Sequence, residues 1–123
     1  MYARSHSIEF ETHSSTANVT AFTSEIVNGP VLNIRYVKND LGDNAVITFT
    51  GEDTGVAIFT ISNMNLSATH LPRSPLTDNV GAAITYAGTN PVHEAVVLAN
   101  ERIKLVITGG DSSKSGVFHI TVG

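Results

Sequence analysis

The stretch "RIKLVITGGDSSKSGVFHITVG", residues 102–123, indicates most clearly which fold the chain adopts. Apolar residues recur at every second position in both of its halves, and these alternating positions are Ile103, Leu105, Ile107, Phe118, Ile120 and Val122. A period of two is typical of a half-buried β-strand. We therefore predict two antiparallel strands, joined by a flexible hairpin loop over residues 109–116, that face each other across the pair and form an apolar strip.

The rest of the chain repeats this pattern of short β-branched runs between clusters of Gly, Asn, Asp and Pro. Strands are predicted over residues 7–11, 18–24, 31–38, 45–50, 56–62, 80–86, 92–98, 102–108 and 117–122. Inward faces are predicted for Leu32, Ile34, Tyr36, Ala57, Phe59 and Ile61. Helical periodicity is almost absent. The pattern predicts an all-β fold, an antiparallel β-sandwich, jelly-roll-like or immunoglobulin-like, with seven to nine strands.

A chain of 123 residues has room for one hydrophobic core. We predict a single domain over residues 1–123, in which residues 1–7 form a flexible N-terminal arm. Residues 63–79, "NMNLSATHLPRSPLTDN", contain two prolines and show no clear period. Irregular segments of this length are often functional, so we predict a protein-contact loop carried by Leu71, Arg73 and Leu76.

The overall charge and residue types exclude several kinds of partner. Seven Lys and Arg against eleven Asp and Glu give a net charge of −4, and the basic residues are scattered. Nucleic acid is therefore not an expected partner, because binding phosphates needs a basic stripe. No apolar run has the length of a membrane span or a signal peptide, so we expect no membrane association and synthesis in the cytoplasm. The chain has no cysteine, which excludes disulfides and thiolate chemistry.

The segment "GGDSSKSG", residues 109–116, resembles the end of a phosphate-binding loop. If Lys114 and Ser115 were the final pair of that motif, its glycines would fall on Thr108 and Ser113, and a helix would have to follow. A β-run follows instead. The triplet Gly-Asp-Ser at residues 110–112 lacks the glycines that would build an oxyanion hole beside a serine nucleophile. The segment therefore predicts a loop without catalytic chemistry, and the chain is not expected to be an enzyme.

No motif indicates a metal or another cofactor, and we expect none. The five histidines show no ligand spacing. Several carboxylates lie in predicted turns, which keeps a calcium site open as an alternative; they are Asp40, Asp43, Glu52, Asp53 and Asp111. Glu101, next to Arg102 and Lys104, is expected to be a solvated charge with an ion-pair partner.

Several segments resemble small virion proteins encoded in the structural-gene clusters of tailed bacteriophages and prophages. They are "TGEDTG" at residues 50–55, "SATHLPR" at 67–73, "VGAAITYAG" at 80–88, "LANERIK" at 98–104 and the 109–116 segment with the strand after it. The similarity covers about residues 31–123. It implies a non-enzymatic structural protein of the virion, a capsid decoration or cement protein or else a neck or tail component.

The resemblance also implies partners: the major capsid protein or other virion proteins, and copies of the chain itself in a dimer or trimer. The implied location is the virion, after synthesis in a bacterial host. A carbohydrate-binding β-sandwich remains an alternative, with Tyr2 or Tyr86 as the aromatic contact. A small hydrolase is a weaker one, because no catalytic constellation is recognisable.

Overall fold

The computed structural model of the chain describes residues 3–13, 17–41, 45–62, 67–75, 79–82, 85–86, 90–91 and 93–123. Regular structure in these residues is all strand. The strands are β1 Arg4–Glu11, β2 Val19–Phe22, β3 Val27–Lys38, β4 Val46–Gly51, β5 Ala57–Ser62, β6 Ala68–His70, β7 Arg73–Pro75, β8 Thr85–Tyr86, β9 Asn90–Pro91, β10 His93–Ala95, β11 Val97–Glu101, β12 Ile103–Thr108 and β13 Ser115–Val122.

Two main sheets make up most of the molecule. The first has the order β1-β13-β3-β11, and β6 joins it by pairing with β3; the second has the order β2-β12-β4-β5. All of these pairs are antiparallel. The predicted all-β antiparallel sandwich is therefore confirmed, and within the described residues the nine strands of the two sheets fall inside the predicted range. Four shorter strands form two separate ribbons, β7 with β10 and β8 with β9.

One hydrophobic cluster fills the space between the two sheets. Phe118 of β13 lies at its centre, because its ring stacks on Tyr36 of β3 and meets Phe49 of β4 edge-on, with both pairs of ring centroids 4.9 Å apart. Tyr36 belongs to the first sheet and Phe49 to the second, so this aromatic group joins the two layers. The alternating residues of the opening stretch, from Ile103 to Val122, are all buried in the same cluster.

The predicted hairpin between the last two strands is wrong. β12 lies between β2 and β4 in the second sheet, whereas β13 lies between β1 and β3 in the first. Their apolar faces do meet in the core, but across the sandwich and not along a shared ladder. Alternation shows that a strand buries one face, and it does not show which sheet the strand joins.

Two β-bulges change which residues face the core. The β3–β13 register skips Leu32, so Val31 is buried together with Ile34 and Tyr36 while Leu32 is only half-buried. The β4–β5 register skips Ile58, which is buried where Ala57 is exposed. The predicted inward positions Leu32 and Ala57 are therefore wrong, because an inserted residue reverses the alternation.

Three other segments differ from the sequence prediction. Arg4 to Ser7 of the predicted arm pair with β13, since β1 starts at Arg4; Met1 and Tyr2 lie outside the described residues. The segment predicted to be irregular, residues 63–79, contains β6 and β7. Of the predicted strand over residues 80–86, the described part is strand only at Thr85–Tyr86.

Candidate interaction surface

The predicted contact loop lies partly on regular structure. Leu71 directly follows β6 and is 63% exposed. Arg73 begins β7, and its guanidinium donates a hydrogen bond of 2.7 Å to the carbonyl of Pro72. Leu76 lies outside the described residues. The structure thus presents an apolar and a basic side chain of the predicted loop at the surface, on a segment supported by strand pairing.

A third exposed residue, Val97, borders the same part of the molecule. It pairs with Pro30 of β3 and is 63% exposed. β6 and β11 both lie along the edge of β3 that faces away from β13. β6 pairs with the C-terminal half of β3 and β11 with its N-terminal half. Leu71, just after β6, and Val97, in β11, therefore lie along the same edge. We call Leu71, Arg73 and Val97 the β3-edge surface.

Val97 is not among the contact residues predicted from the sequence, although the run "VVL" at residues 96–98 contains a signal for it. Successive strand residues point to opposite faces, so three apolar residues in a row must direct one of them away from the core. Val96 and Leu98 are buried, and Val97 is the exposed middle residue.

The turn at residues 52–54, which connects β4 and β5, is held by the buried side chain of Glu101. Glu101 is 3% exposed. Its Oε1 accepts hydrogen bonds from the backbone N–H groups of Asp53 and Thr54, both at 3.2 Å, and its Oε2 accepts one of 2.9 Å from the Thr54 hydroxyl. Glu101 is therefore not the solvated charge that the sequence predicted, and its carboxylate serves the fold.

A bulge and a glycine make room for this carboxylate. Between Leu98 and Glu101, β11 contains one residue more than the part of β3 that it pairs with. Asn100 lies in this bulge and has a φ of 58°. Asparagine tolerates this left-handed conformation better than most residues. On the opposite side, a Cβ added to Gly51 would come within 2.7 Å of Glu101 Cδ. A side chain at position 51 would therefore have to displace the Glu101 carboxylate.

The neighbouring residue Arg102 holds the same turn from outside. Its guanidinium makes two hydrogen bonds of 2.6 Å to the carboxylate of Glu52, and it lies 4.6 Å from the ring centroid of Phe22. The hydrogen bonds from Arg102 hold the pKa of the Glu52 carboxyl below its ordinary value. The carbonyl of Arg102 also accepts a hydrogen bond of 2.9 Å from the Glu52 N–H.

The loop between β12 and β13 is held by Thr12, which is 2% exposed. The Thr12 hydroxyl donates to the carbonyl of Asp111 at 2.5 Å and accepts from the N–H of Lys114 at 2.8 Å. Asp40 Oδ1 accepts a further hydrogen bond of 2.8 Å from the Ser115 N–H. The segment that resembles a phosphate loop is thus a crossover between sheets, fixed by side chains from far away in the sequence.

The possible metal ligands are distributed over separate places. Glu52 and Asp53 lie in the turn between β4 and β5. Asp40 and Asp111 lie at the loop between β12 and β13, and Asp43 is outside the described residues. Within the part of the chain that the structure describes, no three His, Asp or Glu side chains are grouped as metal ligands would be. Tyr86 lies in β8, and Tyr2 is not described.

No family model, curated protein or solved structure matches the chain. None of the described residues belongs to a helix of the length and apolarity that crossing a membrane requires.

Proposed function

We propose that the chain is a non-enzymatic structural protein of a tailed-phage virion. Within that class we propose a capsid decoration protein, which binds the outside of the head in many copies and stabilises the lattice. A neck or tail component is the alternative within the same class. The proposal starts from the sequence resemblance and is supported by two features of the structure.

The first support is the role of the residues that carry the resemblance. Thr54 of "TGEDTG" donates its hydroxyl to Glu101 of "LANERIK", and Glu52 binds Arg102 of that same segment. The 109–116 segment is fixed by Thr12. These segments therefore stabilise the turns of a small sandwich. Such a role fits a structural protein, because these residues maintain the shape of the domain.

The observation that carries the proposal is the β3-edge surface. Leu71 and Val97 expose apolar side chains beside a well-paired sheet. Arg73 adds a positive charge beside β3, because its guanidinium donates a hydrogen bond of 3.5 Å to the carbonyl of Leu32. Covering apolar surface stabilises a complex by about 25 cal/mol per Å². A decoration protein that binds only the assembled lattice would stabilise it by mass action, since the ligand favours the state that it binds.

The first experiment asks whether the chain belongs to a particle. Particles induced from the strain that carries the gene are purified and analysed by mass spectrometry. We expect many copies per particle, and we expect particles from a deletion strain to assemble but to lose resistance to heat and osmotic shock. Purified particles without the chain would contradict the proposal. Particles that carry a few copies at the neck or tail would favour the alternative.

The second experiment tests the surface itself. Purified Leu71→Ser/Val97→Ser protein is added to particles from the deletion strain, and bound copies are counted by mass spectrometry. We expect occupancy to fall strongly while the thermal unfolding of the free protein is unchanged. Val56→Ser is the matched control, because Val56 is an exposed valine on the second sheet's turn. Equal occupancy for both variants would contradict the role of the β3-edge surface.

A further inference from the structure

β1 is a long strand with one open edge. It pairs with β13 through eight consecutive residue pairs, from Arg4 with Val122 to Glu11 with Ser115, without a register shift. Among the described strands, no other strand pairs with β1. The opposite side of β1 is therefore a row of backbone groups that can accept another strand.

The hydrogen bonds just past the strand show which residues face that open side. Thr12 N–H donates to the carbonyl of Lys114 at 2.7 Å, continuing the β1–β13 ladder. In an antiparallel ladder such bonded positions alternate with positions whose backbone groups point away. The residues that direct N–H and C=O to the open edge are therefore Ser5, Ser7, Glu9 and Glu11, and the side chains of all four are exposed.

The other edge strands of the two sheets are short or irregular, and β1 is neither. β5 and β11 each contain a register shift, β6 has three residues and β2 has four. Proteins commonly prevent unwanted pairing at an edge with bulges, short strands, proline or charged side chains, lysine above all. "RSHSIEFE", residues 4–11, contains no proline and no lysine, and its charged residues are Arg4, Glu9 and Glu11. β1 is thus the strand left open for pairing.

We propose that β1 pairs antiparallel with β1 of a second copy of this chain, with the two-fold axis at Ser7. This dimer joins the two first sheets into one continuous sheet. A second copy fits because the edge-facing residues available for pairing run from Ala3 to Glu11 and are centred on Ser7, so each of them meets an edge-facing partner. The next edge-facing residue, His13, already donates its N–H to the carbonyl of Asn18 at 2.8 Å and accepts from the N–H of Ala17 at 3.1 Å. The inference does not depend on the proposed virion function.

Charge favours this register over the one with its axis at Ile8. With the axis at Ser7, Glu9 lies opposite Ser5 of the second copy, and the two Glu9 side chains are about 14 Å apart. A shift of the axis to Ile8 would bring them to diagonal positions about 7–8 Å apart, where like charges repel. Compared with the Ile8 register, the Ser7 register therefore gives the smaller repulsion.

The chain has no cysteine, so single cysteines report this register directly. Ser7→Cys places the two cysteines opposite each other at the axis, with their Cα atoms about 5.5 Å apart. Ser5→Cys places its two copies about 14 Å apart, too far for a short bis-maleimide. We expect Ser7→Cys to cross-link with itself, and Ser5→Cys and Glu9→Cys to cross-link only when the two variants are mixed. Self-cross-linking of Ser5→Cys without that of Ser7→Cys would overturn the proposal.

Light scattering after size-exclusion chromatography measures the assembly itself. The chain has a mass of 13.0 kDa, and we expect twice that mass for the wild type. Ser7→Pro removes an edge N–H without removing a bond to β13. Two symmetric hydrogen bonds are then lost, and we expect dimerisation to weaken by about tenfold or more. Ser7→Thr keeps the N–H and serves as the control.

A second variant keeps the test independent of proline. Ser7→Lys retains the backbone N–H and places two ammonium groups opposite each other on the axis, so we expect a folded monomer. A wild-type protein that stays monomeric at high concentration would overturn the proposal. So would a dimer whose stability is unchanged in both folded variants, and so would a monomer whose β1 edge instead binds an extended segment of another protein.

Discussion

Two turns of this sandwich are each held by one side chain that is distant in sequence, and they are held by different chemistry. Glu101 holds the turn at residues 52–54 with a carboxylate, which only accepts hydrogen bonds. That turn directs two backbone N–H groups and the Thr54 hydroxyl at the carboxylate. Thr12 holds the 109–114 loop with a hydroxyl, which meets one carbonyl and one N–H. The group that each turn exposes thus determines which side chain can hold it.

Removing the carboxylate is expected to have the largest effect. Glu101→Ala leaves the N–H groups of Asp53 and Thr54 without their acceptor, and we expect a loss of about 3 kcal/mol in the free energy of unfolding. Urea denaturation measures the change. Glu101→Gln keeps the shape and one acceptor oxygen and should lose about 1 kcal/mol. Equal losses for the two variants would mean that the hydrogen bonds contribute little.

Filling the space beside the carboxylate should have the next largest effect. Gly51→Ala directs a methyl group at the Glu101 side chain and 3.0 Å from Thr54 Oγ1, and we expect a loss of about 2 kcal/mol from overpacking. Gly55→Ala is the control: its Cβ would meet open space, but φ there is +72°, so about 1 kcal/mol of backbone strain is expected. A larger loss for Gly55→Ala in urea denaturation would contradict the steric account.

The hydroxyl is expected to contribute less than the carboxylate. Thr12→Val keeps the shape but removes the partner of the Asp111 carbonyl and the Lys114 N–H, so we expect a loss of about 1.5 kcal/mol in urea denaturation. Thr12→Ser keeps the hydroxyl and should lose less. Hydrogen exchange at the Lys114 amide should rise in the valine variant alone, and unchanged protection there would contradict the role of Thr12.

The smallest effect is expected for the ion pair outside the first turn. Glu52 has a lowered pKa because Arg102 hydrogen-bonds to its carboxylate. Its contribution is therefore complete at pH values above the ordinary glutamate pKa and is lost as the pH falls through the lowered pKa of the folded state. We expect the difference in Tm between wild type and Glu52→Gln to close as the solution is acidified below the ordinary range. A difference that does not change with pH would contradict this assignment.

The sequence predicted the parts of the molecule that follow from local alternation. The six alternating apolar residues of the last two strands are buried as expected: Ile103, Leu105, Ile107, Phe118, Ile120 and Val122. It did not predict which sheet β13 joins, because that choice depends on strands β1 and β3. It also placed Glu101 in solvent. Asn100 is a residue type that favours the bulge in β11, and Gly51 leaves space for the Glu101 carboxylate. No local pattern, however, indicates which distant turn supplies the N–H groups that bind this carboxylate.

The position of β13 also has a consequence for the order of folding. The β4–β5 hairpin joins residues close in sequence, so it can close while the chain is still being synthesised. β1 and β13 instead pair Arg4 with Val122, and such non-local ladders form slowly. β1 therefore leaves the ribosome well before its partner β13, and both of its edges are unprotected during that interval. Aggregation of nascent chains is expected to begin at β1.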